Sequence, residues 1–296
     1  MHLKSIGFSL GSKKLRVSDL FDDRRLIEKT GIEFLFEAEG STHDLALAAV
    51  QELGDFNRAS IKACIMITQT PDDLLPANAI PLSNSLGLPT EIMSFDVNQG
   101  CSGFVQALIL VESLAEKYGD ILLVTADRYR SKLGQDNRGT NAVFSDGASA
   151  SIWGAGGTKK ILLEKHITDG SKRDWLFQSN SVGAPPLHMS GADVWMFTRT
   201  VVVPSLLNII DETQKMGYRI GQVFLHQASK LVLDGIVKEL PDELRQNVPL
   251  NYYKYGNTVS STIPILLAES QLCTDEDTVD IFCGFGVGLS SSIVVM

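Results

Sequence analysis

The sequence predicts an α/β protein built from two copies of one unit. Three observations carry that expectation. Short β-branched runs alternate with helix-length amphipathic stretches. One short motif recurs about half a chain apart. Two polar, Gly-containing turns precede similar apolar helices. Strands that alternate with helices pack as covered sheets.

Residues 63–68, Ala-Cys-Ile-Met-Ile-Thr, are almost wholly apolar and read as a buried strand, as do residues 120–125. Between them, residues 103–117 carry Phe104, Leu108, Val111 and Ala115 at helical spacing. Residues 222–226 read as a strand, and 231–240 as a helix stopped by Pro241. The repeat follows from these elements. Asp146-Gly-Ala-Ser-Ala-Ser-Ile152 and Val287-Gly-Leu-Ser-Ser-Ser-Ile293 share the pattern x-G-x-S-x-S-I, each opening a strand. Gly100-Cys101 precedes a helix carrying Leu-Ile-Leu-Val-Glu-Ser, and Gly256-Asn257 precedes one carrying Pro-Ile-Leu-Leu-Ala-Glu-Ser. Two halves, 1–170 and 171–296, accommodate both pairs. A pseudo-twofold between them would bring Cys101 and Asn257, each at a helix start, towards one centre.

Composition narrows the function classes. The chain of 296 residues has 26 Lys and Arg against 35 Asp and Glu, a net charge of −9. Only short basic pairs occur, at 13–14, 24–25 and 159–160, so the basic face of a nucleic-acid binder is not expected. The 4 cysteines form no C-x-x-C spacing, which argues against zinc and redox motifs. Cys64 and Cys283 lie in apolar runs and read as small buried hydrophobes. The first residues lack the apolar core of a signal peptide. No apolar run approaches the roughly 18 residues of a membrane span. A soluble cytoplasmic protein is expected.

Three residues stand out chemically. Cys101 lies between a strand end and a helix start, flanked by Gly100 and Gly103. The positive helix end and exposed N–H groups there would lower a thiol's pKa. His226 falls just past a strand end, where α/β folds place ligands. His2, His43, His166 and His188 lack such a setting. Asn257 could cap the following helix or donate its amide to a reacting oxygen. The run Gly284-Phe-Gly-Val-Gly288 is followed by strand-like residues, not the helix a dinucleotide loop needs. Its backbone N–H groups suit an oxyanion better. Nor does Cys101 sit in an α/β-hydrolase elbow, since Gln99 occupies one of the positions that needs a small residue.

Cys101, His226 and Asn257, in that order, resemble the β-ketoacyl-acyl-carrier-protein synthase III family of the thiolase superfamily. Thr30-Gly-Ile32, Arg138-Gly-Thr140 with Phe144-Ser-Asp-Gly-Ala148, and Met189-Ser-Gly191 are similar to successive family motifs. So are His226-Gln-Ala228, Gly256-Asn-Thr258 and Gly284-Phe-Gly286. The resemblance covers nearly the whole chain and implies a duplicated five-layer αβαβα fold. It implies that Cys101 takes an acyl group from an acyl-CoA or acyl-carrier-protein thioester. The acyl group then condenses with malonyl-acyl-carrier protein. Cys101 and the Gly286–Val287 turn would hold the oxyanion, and His226 and Asn257 the enolate oxygen. No metal or redox cofactor is implied, and a homodimer is.

The resemblance also places Leu75 where family members send a hydrophobic residue into the partner's acyl tunnel. Donor contacts would fall to Arg25, Lys29, Arg138 and Ser229. Several positions depart from the family pattern. Arg25 stands where a tryptophan often stacks on the CoA adenine, Ser229 ends a H-Q-A-N motif, and Ser290-Ser291-Ser292 replaces a W-G. These departures keep a second reading open, in which Cys101 passes its acyl group to an amine or hydroxyl without condensation.

Overall fold

Alternate side chains of one strand face two different cores. Ala63, Ile65 and Ile67 face an inner core, whereas Cys64 and Met66 face an outer one. The computed structural model describes residues 1–296 except 135, 136, 158, 180 and 182. The first half contains β1 (His2–Leu10), α1 (Arg24–Thr30), α2 (Thr42–Gln51), β2 (Ile61–Ile67) and α3 (Ala79–Ser85). It continues with β3 (Met93–Val97), α4 (Gly103–Tyr118), β4 (Asp120–Asp127) and β5 (Gly147–Gly154). The second contains β6 (Leu163–Thr168), α5 (Gly191–Phe197), α6 (Val203–Lys215) and β7 (Arg219–Leu225). After these come α7 (Lys230–Val237), α8 (Thr262–Ala268), β8 (Thr278–Gly286) and β9 (Ser290–Val295).

The two sheets have the orders β1-β5-β4-β2-β3 and β6-β9-β8-β7. In the first, β2 runs parallel to β3 and β4, and β5 antiparallel to β4 and β1. In the second, β7 runs parallel to β8, and β9 antiparallel to β8 and β6. The order and directions of β1-β5-β4-β2 repeat in β6-β9-β8-β7, with β3 an added edge strand of the first sheet, so the sequence repeat is a structural one. α4 and α8 occupy equivalent places and share the inner core. Phe104, Leu108 and Val111 of α4 meet Ile263, Leu266 and Leu267 of α8 there, with Trp153, Phe224 and Phe282 from the sheets. Outside the first sheet lie α2 and α3, contributing Ala46, Ala49 and Leu82. Outside the second lie α6 and α7, contributing Leu206, Ile209, Leu233 and Ile236. The result is the expected five layers. Each buried Leu, Ile or Phe contributes about 1.5–3 kcal/mol.

Three expectations are corrected. β6 precedes residue 170 yet pairs with β9, so the sheets divide between 154 and 163. The helix expected over 231–240 ends at Val237, four residues before Pro241. A helical stretch, Gly191–Lys215, does reach membrane-crossing length, with mean hydropathy 1.2. Its α6 portion buries Leu206, Ile209 and Ile210 against the second sheet. The exposed face carries Asp211, Glu212 and Lys215, as in a core helix.

Phe282 stacks on Phe224 at 4.9 Å between ring centroids, with 9° between planes. Phe282→Ala is expected to cost about 3–5 kcal/mol of unfolding free energy, read by denaturant titration.

Candidate active site

The chain reverses sharply between β3 and α4, and Cys101 lies in that turn. The Gly103 N–H donates to the Gly100 carbonyl at 2.7 Å. Close approach explains the glycines around it. A side chain at Gly100 would collide with Gln69 Oε1 and meet Val287 Cγ1 at 2.7 Å. One at Gly286 would meet Cys101 Sγ at 2.8 Å, and one at Gly284 the Ser102 Cα at 2.7 Å. The G-F-G run is therefore a wall that lets the C-terminal sheet abut the nucleophile. The serines that follow tie that wall to α4. Ser290 Oγ donates to the Val287 carbonyl at 2.7 Å and lies 2.8 Å from Ser102 Oγ. Ser292 Oγ accepts from Gln106 Nε2 at 2.9 Å.

His226 follows β7 and is 2% exposed. Its Nδ1 lies 2.7 Å from Thr262 Oγ1, and its ring meets the Phe285 ring edge-on at 5.4 Å. The Thr262 hydroxyl also reaches the Val259 carbonyl at 3.1 Å. That carbonyl already accepts the Thr262 N–H. The contact at Nδ1 fixes the imidazole ring and leaves Nε2 as the nitrogen available to a ligand. Asn257 Oδ1 accepts the Val259 N–H at 2.9 Å. Asn257 is not the helix cap, since Ser261 holds the N-cap position of α8. The Asn257 oxygen closes the turn, and its amide N–H groups have no partner among the described residues.

Cys101, His226, Asn257 and Gly286 line one cavity of about 470 Å³, joined by Lys29 and Ser229. Arg25 lies beside Lys29 and Lys230 in a hollow next to its mouth. Arg138 instead pairs with Asp23 at 3.6 Å, and only its neighbours Asn137, Gly139 and Thr140 line the cavity. Leu75 is 87% exposed, outside the cavity of its own chain. Val287 lines an adjoining cavity, with its N–H directed at the Cys101 sulfur. Sequence reading missed Thr262 and Phe285. Neither carries a local signal, because a threonine before an apolar helix reads as a cap and a phenylalanine in a strand as core.

Burial sets the electrostatics. It pushes the Cys101 thiol up to about 12, assisted by the nearby Asp127 carboxylate and opposed by the Val287 N–H. The expected lowering at a helix N-terminus is outweighed in the resting enzyme. Burial also drives His226 down to about 3, so its imidazole is neutral.

A cysteine nucleophile, a neutral imidazole and a free carboxamide on one cavity of a doubled αβαβα fold define a thiolase-type acyl-transfer site. The family model "3-Oxoacyl-[acyl-carrier-protein (ACP)] synthase III" matches residues 95–170, and its C-terminal counterpart residues 212–296. The β-ketoacyl-[acyl-carrier-protein] synthase III of Streptococcus agalactiae serotype III (strain NEM316) is 31% identical, covering 94% of this chain and 92% of its own. That of Clostridium perfringens strain 13 is 29% identical over 97% and 96%. The crystal structure of 3-oxoacyl-(acyl carrier protein) synthase III from Pseudomonas aeruginosa PAO1 superposes with a TM-score of 0.87 and 27% identity, covering 99% and 96%. The chain belongs to the β-ketoacyl-acyl-carrier-protein synthase III family, and it is an acyltransferase.

Two outcomes follow. Thr262→Val is expected to slow malonyl decarboxylation by about tenfold while sparing acyl loading, whereas Thr262→Ser keeps both. Carbon dioxide release and adduct mass read the two half-reactions. A thiol pushed to about 12 is mostly protonated throughout neutral pH. Alkylation of Cys101 by iodoacetamide should therefore rise about tenfold per pH unit between about pH 6 and pH 9. A plateau in that range would contradict the burial account.

Proposed function

We propose that the enzyme condenses an acyl group held on Cys101 with malonyl-acyl-carrier protein, releasing carbon dioxide and a β-ketoacyl thioester. The observation that carries this reading is the pairing of His226 with the Asn257 amide on the cavity that holds Cys101. Simple acyl transfer needs only the nucleophile and an oxyanion site. A second pair of neutral donors suits a second oxyanion, the enolate. The relatives' names agree and do not favour the non-condensing alternative.

In the first half-reaction, Cys101 sulfur bonds the donor's carbonyl carbon. The N–H groups of Cys101 and Val287 hold the oxyanion. The donor's C–S bond breaks, and the thiol proton leaves with the departing thiol. In the second, the malonyl carboxylate departs as carbon dioxide and its electron pair forms the enolate. His226 Nε2–H and Asn257 Nδ2–H donate to the enolate oxygen. The enolate carbon then attacks the acyl carbon, and the Cys101 thiolate leaves and is reprotonated. The neutral state of His226 suits a donor that never needs to give up its proton.

Arg25, Lys29 and Lys230 at the mouth would greet an acidic carrier or a CoA phosphate. The exposed Leu75 is the residue a second copy would receive in its acyl tunnel, in a cytoplasmic homodimer.

Cys101→Ala is expected to abolish the acyl adduct. His226→Ala and Asn257→Ala should keep the adduct and lose about 100- to 1,000-fold in carbon dioxide release. Equal loss of both half-reactions in His226→Ala would refute this division of roles.

A further inference from the structure

A second cavity, of about 290 Å³, backs onto the nucleophile. Val287 ties the two together, since its N–H is directed at the Cys101 sulfur while its side chain and Gly288 wall the second cavity. Leu176 lines both cavities. Gln69 Oε1 crowds Gly100, the residue before the nucleophile. An acyl group on Cys101 starts in the first cavity, which Cys101 lines, and would reach the second past Val287 and Leu176. The first cavity carries His226, Asn257 and the mouth, so it must hold the long thiol arm of donor and then of malonyl carrier. The acyl chain is left with the second.

The wall of that second cavity sets polar groups among the apolar Leu176, Phe177, Leu187 and Val287. The buried Tyr129 hydroxyl donates to Gln69 Oε1 at 2.7 Å. Gln69 Nε2 reaches Asn98 Oδ1 at 3.4 Å with one N–H and keeps the other. The Tyr129 oxygen keeps its lone pairs. Lys132 stands at the rim with no ion pair among the described residues. An alkyl chain would displace water from these groups and return no hydrogen bond. Sites that offer hydrogen bonds to a substrate discriminate strongly against its apolar analogue.

We infer that Cys101 carries a short acyl group bearing its own hydrogen-bonding oxygen, seated against Gln69 and Tyr129, rather than a plain alkyl chain. The inference rests on Cys101 being the acyl carrier, and the test separates the two. Acetyl-, butyryl-, 3-hydroxybutyryl- and succinyl-CoA, and the matching acyl-carrier-protein thioesters, would be mixed with the enzyme. Adduct formation on Cys101 would be timed by intact-protein mass spectrometry.

The hydroxybutyryl or succinyl group should load at least about tenfold faster than butyryl. Which of the two leads distinguishes a hydroxyl from a carboxylate at the Lys132 rim. A Gln69→Leu, Tyr129→Phe double variant should lose that preference and gain butyryl loading. Butyryl loading as fast as both oxygen-bearing groups would overturn the inference. So would adducts from acetyl alone, although that outcome would leave the acyl-carrier role of Cys101 standing. No adduct from any thioester would overturn both.

Discussion

The peptide of Val259 holds the two donor side chains of the site. Its N–H fixes Asn257 Oδ1, and its carbonyl takes Thr262, whose hydroxyl reaches His226. One turn thus orients a carboxamide and an imidazole from different elements. The turn is strained. Val259 has φ of 58°, a left-handed conformation that β-branched residues rarely adopt. Such strain costs on the order of 1–3 kcal/mol and persists only where surrounding structure imposes it. Here the side chain is fully buried in the second core, beneath the start of α8. The doubling of the fold then does the rest. It sets the start of α4, with Cys101, opposite the start of α8, with Asn257.

Burial of that centre selects neutral groups. A thiol pushed up and an imidazole pushed down share a cause, since both lose water that would stabilise charge. The same burial pushes Asp127 up to about 7, despite hydrogen bonds from Gln69 and Ser260. The site therefore holds little fixed positive charge to neutralise an oxyanion. In the proposed mechanism it relies on aimed dipoles: N–H groups at Cys101 and Val287 for one oxygen, His226 and the Asn257 amide for the other. Such donors need no reorganisation during reaction. They are sensitive to position, which is why Gly100, Gly284 and Gly286 admit no side chain.

Much of this was legible in the chain. The x-G-x-S-x-S-I repeat marks β5 and the entry to β9, which are equivalent strands. Cys101 and Asn257 mark equivalent helix starts. These signals survive because both copies need the same small residues for close packing. The thiol's electrostatics were not legible. A helix start argues for lowering, and only the packed walls reveal that desolvation is larger. Thr262 was hidden because its partner lies 36 residues away. The pairing of Arg138 with Asp23, far off in sequence, was hidden for the same reason. The boundary at 170 failed because β6 reads like any exposed alternating strand. Only its register with β9 shows which sheet owns it.

Condensation at Cys101 is the central claim, and one experiment addresses it most directly. The enzyme is loaded with an acyl thioester and weighed intact, then chased with malonyl-acyl-carrier protein. The account predicts an acyl adduct on Cys101 that disappears on the chase as a β-ketoacyl carrier forms, two carbons longer. An adduct that persists beside malonyl carrier, yet discharges to an amine or hydroxyl, would contradict it.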